Sequence, residues 1–265
     1  MYSKWQLAVK YFKYYLEASN SKGHGMHSPF VFDFITKVLN DKKDYPEYVW
    51  GEGLRGKYLT DYEILNVEDL GAGSVVSKKN QRTARSIAKN ATKPKKYGQL
   101  LFRIVRHYKP ENIIELGTSL GVTSLYLSSA NLDGQVTTIE GSAEIAAFTK
   151  KHLDVFGLQN LKLITGNFND VLPVILKGIN NVDFAFVDGN HRREPTERYF
   201  QELLSKTNNE SILVFDDIHW SQEMEQAWKT IKKHPSVRCS IDLFFIGVVF
   251  FRKEFREKQH FKIRF

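Results

Sequence analysis

Asn112-Ile113-Ile114-Glu115-Leu116-Gly117-Thr118-Ser119-Leu120-Gly121 decides how the rest of this 265-residue chain is read. An apolar run too short for a helix meets a glycine, and a helical pattern opens over Val122 to Ala130. The stretch therefore predicts a buried strand, a tight turn and a helix. Gly117 permits a bend closed to other residues, and Gly121 lets a ligand approach the backbone where the helix N-terminus offers unpaired N–H groups. Twenty-five residues past Glu115, a second run from Gln135 to Ile139 ends in Glu140, followed by Gly141. An acid at the tip of the second strand of such a unit accepts hydrogen bonds from a ribose diol. A nucleoside-type ligand is the expectation.

The glycine spacing narrows the choice. A dinucleotide fingerprint needs three glycines as G-x-G-x-x-G, whereas Thr118-Ser119-Leu120 separates Gly117 from Gly121. Acid-x-Gly-x-x-x-Gly, then a strand ending in Glu, resembles the class I S-adenosylmethionine (SAM) methyltransferases. That resemblance implies an α/β, Rossmann-like fold, with a mostly parallel sheet closed by a C-terminal antiparallel hairpin. It places Glu115, Gly117, Thr118, Ser119 and Gly121 around the methionine part of the cofactor, and Glu140 with Gly141 at the ribose. After the strand Leu161 to Thr165 and Gly166, it puts Asn167 and Phe168 beside the adenine. Asp69-Leu70-Gly71-Ala72-Gly73-Ser74 also resembles a glycine motif, but no second strand ending in an acid follows it, so it is read as a turn.

Two later strands carry the chemistry. Val182 to Val187 ends at Asp188-Gly189-Asn190-His191, and Ile212 to Phe215 ends at Asp216-Asp217-Ile218-His219. Ligands of a parallel sheet collect at the carboxyl ends of its strands, and three carboxylates converging there repel unless a cation sits among them. Such oxygen donors suit Mg2+, Ca2+ or Mn2+. The constellation resembles the metal-dependent O-methyltransferases, both the catechol type and the sugar enzymes of macrolide and aminocoumarin pathways. It implies Asp188, Asp216 and Asp217 as metal ligands, with Asp188 also against the cofactor and the reacting groups. On the plainer reading one Asp caps a helix and another is solvated, although Ser221 already supplies a cap for the helix that follows. The sugar enzymes carry a further acid two positions after their strand-four Asp. Here that position is Asn190, which takes no proton, so His191 or His219 stands in as base or serves as hydrogen-bonding support.

Charge and composition set the context. The net charge is +8, and the acid-free stretch from Ser77 to Pro110 alone holds eleven Lys and Arg, so the rest of the chain is net acidic. That segment is either a solvated helix face or a surface for an anionic substrate or RNA. A single cysteine, Cys239, rules out an internal disulfide and reads as a buried thiol. No run reaches the length of a membrane span, and a cytoplasmic setting is expected.

In chain order, Trp5, Val9, Phe12 and Leu16 fall on one face of a basic helix over residues 3–18, a pattern that suits a membrane surface but at this length is expected rather to dock on its own domain or on a partner subunit, as in a homodimer. His24 and His27 lie in a loop. Ser28-Pro29 starts a helix, the segment from Asp41 to Gly73 resists assignment, and Ala84, Ile87, Ala88 and Ala91 suggest a helix within Ser77 to Thr92. Tyr97 leads into a helix ending near Lys109-Pro110. Ser142 opens another helix, closed by Gly157, with His152 as a core residue. Val237 to Leu243 and Ile246 to Arg252 form a hairpin, and Lys253 to Phe265 packs as a tail. The division expected is an N-terminal helical and irregular extension over 1–96 and a SAM-binding domain over 97–265. The function expected is metal-assisted methylation of a small-molecule hydroxyl. Its alternatives are a methyltransferase acting on RNA or another anionic polymer, and a SAM-binding protein without catalysis.

Overall fold

Apolar runs of four to six residues alternate with amphipathic helices along most of the chain, and several of them, Phe184–Val187 and Ile212–Asp216 among them, become strands with both faces covered. The computed structural model describes residues 1–20, 23, 28–67 and 81–265. The histidines at 24 and 27, the 69–74 glycine motif and residues 77–80 lie outside the described residues. The helices are α1 (Lys4–Glu17), α2 (Pro29–Phe34), α3 (Tyr48–Tyr58), α4 (Ala84–Asn90), α5 (Lys95–Tyr108), α6 (Val122–Ala130), α7 (Ala143–Leu153), α8 (Phe168–Gly178), α9 (Arg193–Leu204) and α10 (Gln222–Lys233). The strands are β1 (Ile64–Asn66), β2 (Gln81–Thr83), β3 (Asn112–Leu116), β4 (Gln135–Glu140), β5 (Leu161–Thr165), β6 (Phe184–Val187), β7 (Ile212–Asp216), β8 (Cys239–Asp242), β9 (Ile246–Phe250) and β10 (Gln259–Lys262).

The chain packs as two compact units, one of residues 42–178 and one joining 1–41 to 179–265. These boundaries fall elsewhere than residue 96, because α1 at the start of the chain packs on strands at its end.

In the 42–178 unit, β3, β4 and β5 run parallel, with Glu115 beside Thr138 and Glu140 beside Thr165. The segment that resisted assignment contains α3, whose Gly51, Gly53 and Gly56 each cost a helix about 1 kcal/mol relative to alanine. Packing explains the first of them. A Cβ on Gly51 would stand 2.7 Å from the Tyr126 ring, and one on Gly98 of α5 would stand 2.5 Å from it, so two glycines clasp this buried tyrosine. Its hydroxyl donates to Glu52 at 2.7 Å.

The other unit orders its strands β10-β8-β9-β7-β6. β6 and β7 are parallel, whereas β9 is antiparallel to both β7 and β8, which is the hairpin expected from the sequence. The tail is no loose appendage, however. Gln259–Lys262 adds a parallel edge strand to β8, and its alternation of half-buried and exposed residues is that of a strand with one face covered.

Helix α1 is also turned differently from the expectation. Tyr14 and Ala18 are buried, while Trp5, Val9, Phe12 and Leu16 face outward. Two expected caps are absent: Ser28 and Ser142 occupy N-cap positions but make no side-chain capping bond, whereas Ser221 accepts from the Met224 N–H at 3.1 Å.

Candidate active site

The site residues fall into two groups, one in each unit. In the 42–178 unit the bend after β3 is held by its own backbone. Gly117 has φ +105°, Ser119 +47° and Gly121 +72°. The N–H groups of Gly117 and Thr118 both donate to the Ile139 carbonyl, at 3.0 and 3.1 Å, and that of Gly121 donates to the Thr118 carbonyl at 2.8 Å. The Ser119 N–H donates to Glu140 Oε2 at 2.8 Å. These amides of the turn are therefore engaged within the bend itself. Gly121 is required for a different reason from the one its spacing suggested. A Cβ there would meet Thr149 Cγ2 at 2.8 Å and both Leu153 methyls at 3.0 Å, so it is α7 that approaches the backbone.

Glu115 is fully buried, and its carboxylate accepts from the Ser124 and Thr138 hydroxyls, the latter at 2.6 Å. Thr118 Oγ1 lies 2.6 Å from Thr138 Oγ1, which extends the chain of hydroxyls from the bend to the acid. Glu115 thus braces the turn from inside. Sequence reading overlooked Thr138 and Ser124. The signal available was a threonine in the strand after the bend, in register with the acid on its neighbour.

Glu140 is half-buried at the tip of β4. Its two oxygens each accept one backbone N–H, from Ser119 and from Ser142 at 2.9 Å. Gly141 follows in the turn to α7. One strand over, the Gly166 N–H donates to the Glu140 carbonyl at 2.9 Å, which sets Asn167 and Phe168 at the next strand tip, both half-buried. Asn167 Oδ1 accepts the Asn169 N–H at 2.9 Å and opens α8.

In the second unit the register pairs Val187 with Phe215, so the next residues, Asp188 and Asp216, emerge side by side. Among the described residues, Asp188, His191 and Asp216 form a group whose ligand atoms all lie within 4.8 Å of one another. Asp216 is buried. His191 Nε2 is 3.6 Å from Asp188 Oδ1, too long for a hydrogen bond, and its ring lies 5.6 Å from that of Trp220. Asn190 takes φ +66°, a left-handed conformation that asparagine tolerates, and its amide donates to the Tyr199 hydroxyl at 3.3 Å.

Two expected site residues do not join this group. Asp217 lies beyond the end of β7 at φ +52°, where the chain has left the strand, and the geometry puts His191 in the third place. His219 turns the other way. Its Nδ1 is 3.1 Å from Glu225 and its Nε2 is 2.9 Å from Asp242, while its ring stacks on Phe244 at 5.1 Å. Both of its nitrogens are held by carboxylates, which leaves His191 as the imidazole beside Asp188 and Asp216. Burial alone would push the Asp242 carboxyl up. The hydrogen bond and charge of His219, the Phe244 N–H and Lys232 outweigh it and hold the group below its ordinary range.

Several cations of the basic segment serve packing. Arg103 is buried, Arg106 lies over the Tyr45 ring and 3.6 Å from Glu47, and Arg85 lies over Tyr62. Among the described residues no helix is long and apolar enough to cross a membrane.

A family model described as a methyltransferase domain matches residues 114–218. Catechol O-methyltransferase of Niastella koreensis is 28% identical over 124 residues, 46% of this chain and 55% of that protein. The Bos taurus protein of the same name is 28% identical over 127 residues, 46% and 47% of the two chains. The chain spans about half the length of the curated relatives it matches. The fold is that of the O-methyltransferase TomG from Streptomyces achromogenes, solved with SAM, at a TM-score of 0.54 and 21% identity over 62% of this chain and 82% of that one. It is also that of the SAH-bound Podospora anserina methyltransferase PaMTH1, at 0.59 and 14% over 85% and 97%. Residues 114–218 match a methyltransferase domain, and the chain is similar in sequence to SAM-dependent O-methyltransferases.

Proposed function

We propose that this chain moves the methyl group of SAM to a hydroxyl of a small molecule, with a divalent cation held by Asp188 and Asp216. The observation that carries the reading is the meeting of two carboxylates and an imidazole at the tips of β6 and β7. One of those acids is buried, and carboxylates so placed favour a cation between them. Two oxygen donors fit magnesium or manganese.

The roles divide between the two groups of residues. Glu140 takes the ribose hydroxyls at the tip of β4, and Glu115 keeps the bend rigid beneath it. Gly117, Thr118 and Ser119 border the methionine part, and Asn167 and Phe168 take the edge and the face of the adenine. When bound, the cofactor supplies an electrophilic methyl and the cation lowers the pKa of the acceptor hydroxyl. His191, with Nε2 beside Asp188, removes the proton of that hydroxyl, and orientation of the reactants supplies most of the acceleration. The relatives named as catechol O-methyltransferases make vicinal diols the first acceptors to assay.

Calorimetric titration with Mg2+ or Mn2+ tests the cation: heat is expected from the wild type and none from Asp216→Asn. His191→Ala should lower turnover and remove the acidic limb of the pH–rate profile. No heat, with turnover indifferent to EDTA, would discard the cation, and an unchanged pH profile would discard the base.

A further inference from the structure

Helix α1 has two faces, and among the described residues its packing contacts lie on one of them. On the inner face Tyr14 is buried and donates to the Ile263 carbonyl, Tyr11 sits edge-on to Phe244 at 5.0 Å, and Lys10 pairs with Glu225 at 2.9 Å. On the outer face Trp5, Val9, Phe12 and Leu16 are 77%, 50%, 64% and 64% exposed. Their spacing of four, three and four is the seam pattern of a helix that packs against another helix.

We infer that this stripe joins two copies of the chain through an antiparallel pair of α1 helices. The stripe reads the same in both directions. Reversing the helix about the midpoint between Lys10 and Tyr11 exchanges Trp5 with Leu16 and Val9 with Phe12, so a twofold axis there places each large side chain against a smaller one. A twofold dimer requires such a self-complementary surface. The flanks agree with this orientation. Lys13 comes near Gln6 of the other helix and Ala8 comes near Tyr15, with no like charges brought together.

Aromatic side chains cover 150–250 Å² each, so the stripe presents roughly 500 Å². Two copies bury about 1,000 Å² in total, the lower bound for a specific interface, and the dimer should form in the micromolar range. An anionic membrane is the weaker occupant, since attraction there grows with the number of cations at the surface and only Lys4 and Lys13 flank the stripe.

Sedimentation velocity over 1–200 µM should show a reversible monomer–dimer equilibrium. Phe12→Glu should raise the dissociation constant ~100-fold, because the carboxylate enters the seam twice, while leaving the melting temperature of the dilute, monomeric protein unchanged. Orientation is read by oxidative cross-linking. Protein carrying Val9→Cys mixed with protein carrying Phe12→Cys should give mostly the mixed disulfide, without competition from the buried Cys239, whose thiol burial pushes up to about 12. A monomer at every concentration, efficient cross-linking of Val9→Cys with itself, or α1-dependent flotation with phosphatidylserine vesicles in place of dimerisation would overturn the inference.

Discussion

Replacing Gly121 with alanine tests what holds the cofactor bend, and two separate penalties can be worked out for it. Its φ of +72° lies in the left-handed region, which costs a residue with a Cβ roughly 1–2 kcal/mol. The new methyl would also stand 2.8 Å from Thr149 Cγ2 and 3.0 Å from the Leu153 methyls, and overpacking of this kind costs about 1–3 kcal/mol. Gly121→Ala should therefore destabilise the protein by roughly 2–5 kcal/mol in urea unfolding followed by circular dichroism. Gly157 separates the two penalties, since it has φ +62° and nothing within 4 Å of its would-be Cβ. Gly157→Ala should show only the conformational cost, about 1–2 kcal/mol. In a Thr149→Ser, Leu153→Ala background the cost of Gly121→Ala should fall toward that of Gly157→Ala, because the crowding is relieved while the backbone strain stays. Equal costs for the two glycines in the wild-type background, or a Gly121 cost unchanged in the double variant, would refute packing against α7 as the reason for this glycine.

Three further outcomes follow from the same contacts. Thr138→Val removes a hydroxyl from the buried Glu115 carboxylate and should cost about 1–3 kcal/mol by chemical denaturation, with weaker cofactor binding by calorimetry as the bend loosens. Asp242 and Glu225 are both held below the ordinary carboxylate range. For Glu225, burial acts upward and is outweighed by Lys10, Tyr2 and His219. A depressed carboxylate stabilises the fold above its unfolded value near 4 and loses that contribution as pH falls through the folded value, so the urea midpoint should drop between pH 5 and 3, and drop less in Asp242→Asn. Cys239 should resist iodoacetamide at pH 8 in the native protein and react fully in urea, since burial keeps its thiol protonated.

Much of this arrangement is legible in the residues because it is local. The strand, bend and helix over 112–130, the acid closing β4, the Gly157 stop and the hairpin of β8 and β9 each follow from a pattern a few residues long. What escaped depends on distant partners. The 259–262 strand reads as a charged tail until β8 is there to pair with it, and the outward turn of the α1 stripe follows from Tyr14 reaching the Ile263 carbonyl. Helix α3 hides behind three glycines, one of them explained by the Tyr126 ring. In the site, Asp188 and Asp216 were visible as strand ends. The choice of His191 over Asp217 and His219 depended on where each side chain goes after its strand stops, and on the carboxylates that capture His219.

The most direct test is to incubate the chain with methyl-labelled SAM, Mg2+ and a panel of catechols and other hydroxyl acceptors, and to follow the label. The account predicts label on an acceptor oxygen and S-adenosylhomocysteine in equal amount, both lost in EDTA and in Asp216→Asn. Tight binding of SAM by the wild type, with no label transferred to any hydroxyl in the presence of the metal, would contradict it and leave a protein that binds the cofactor without using it.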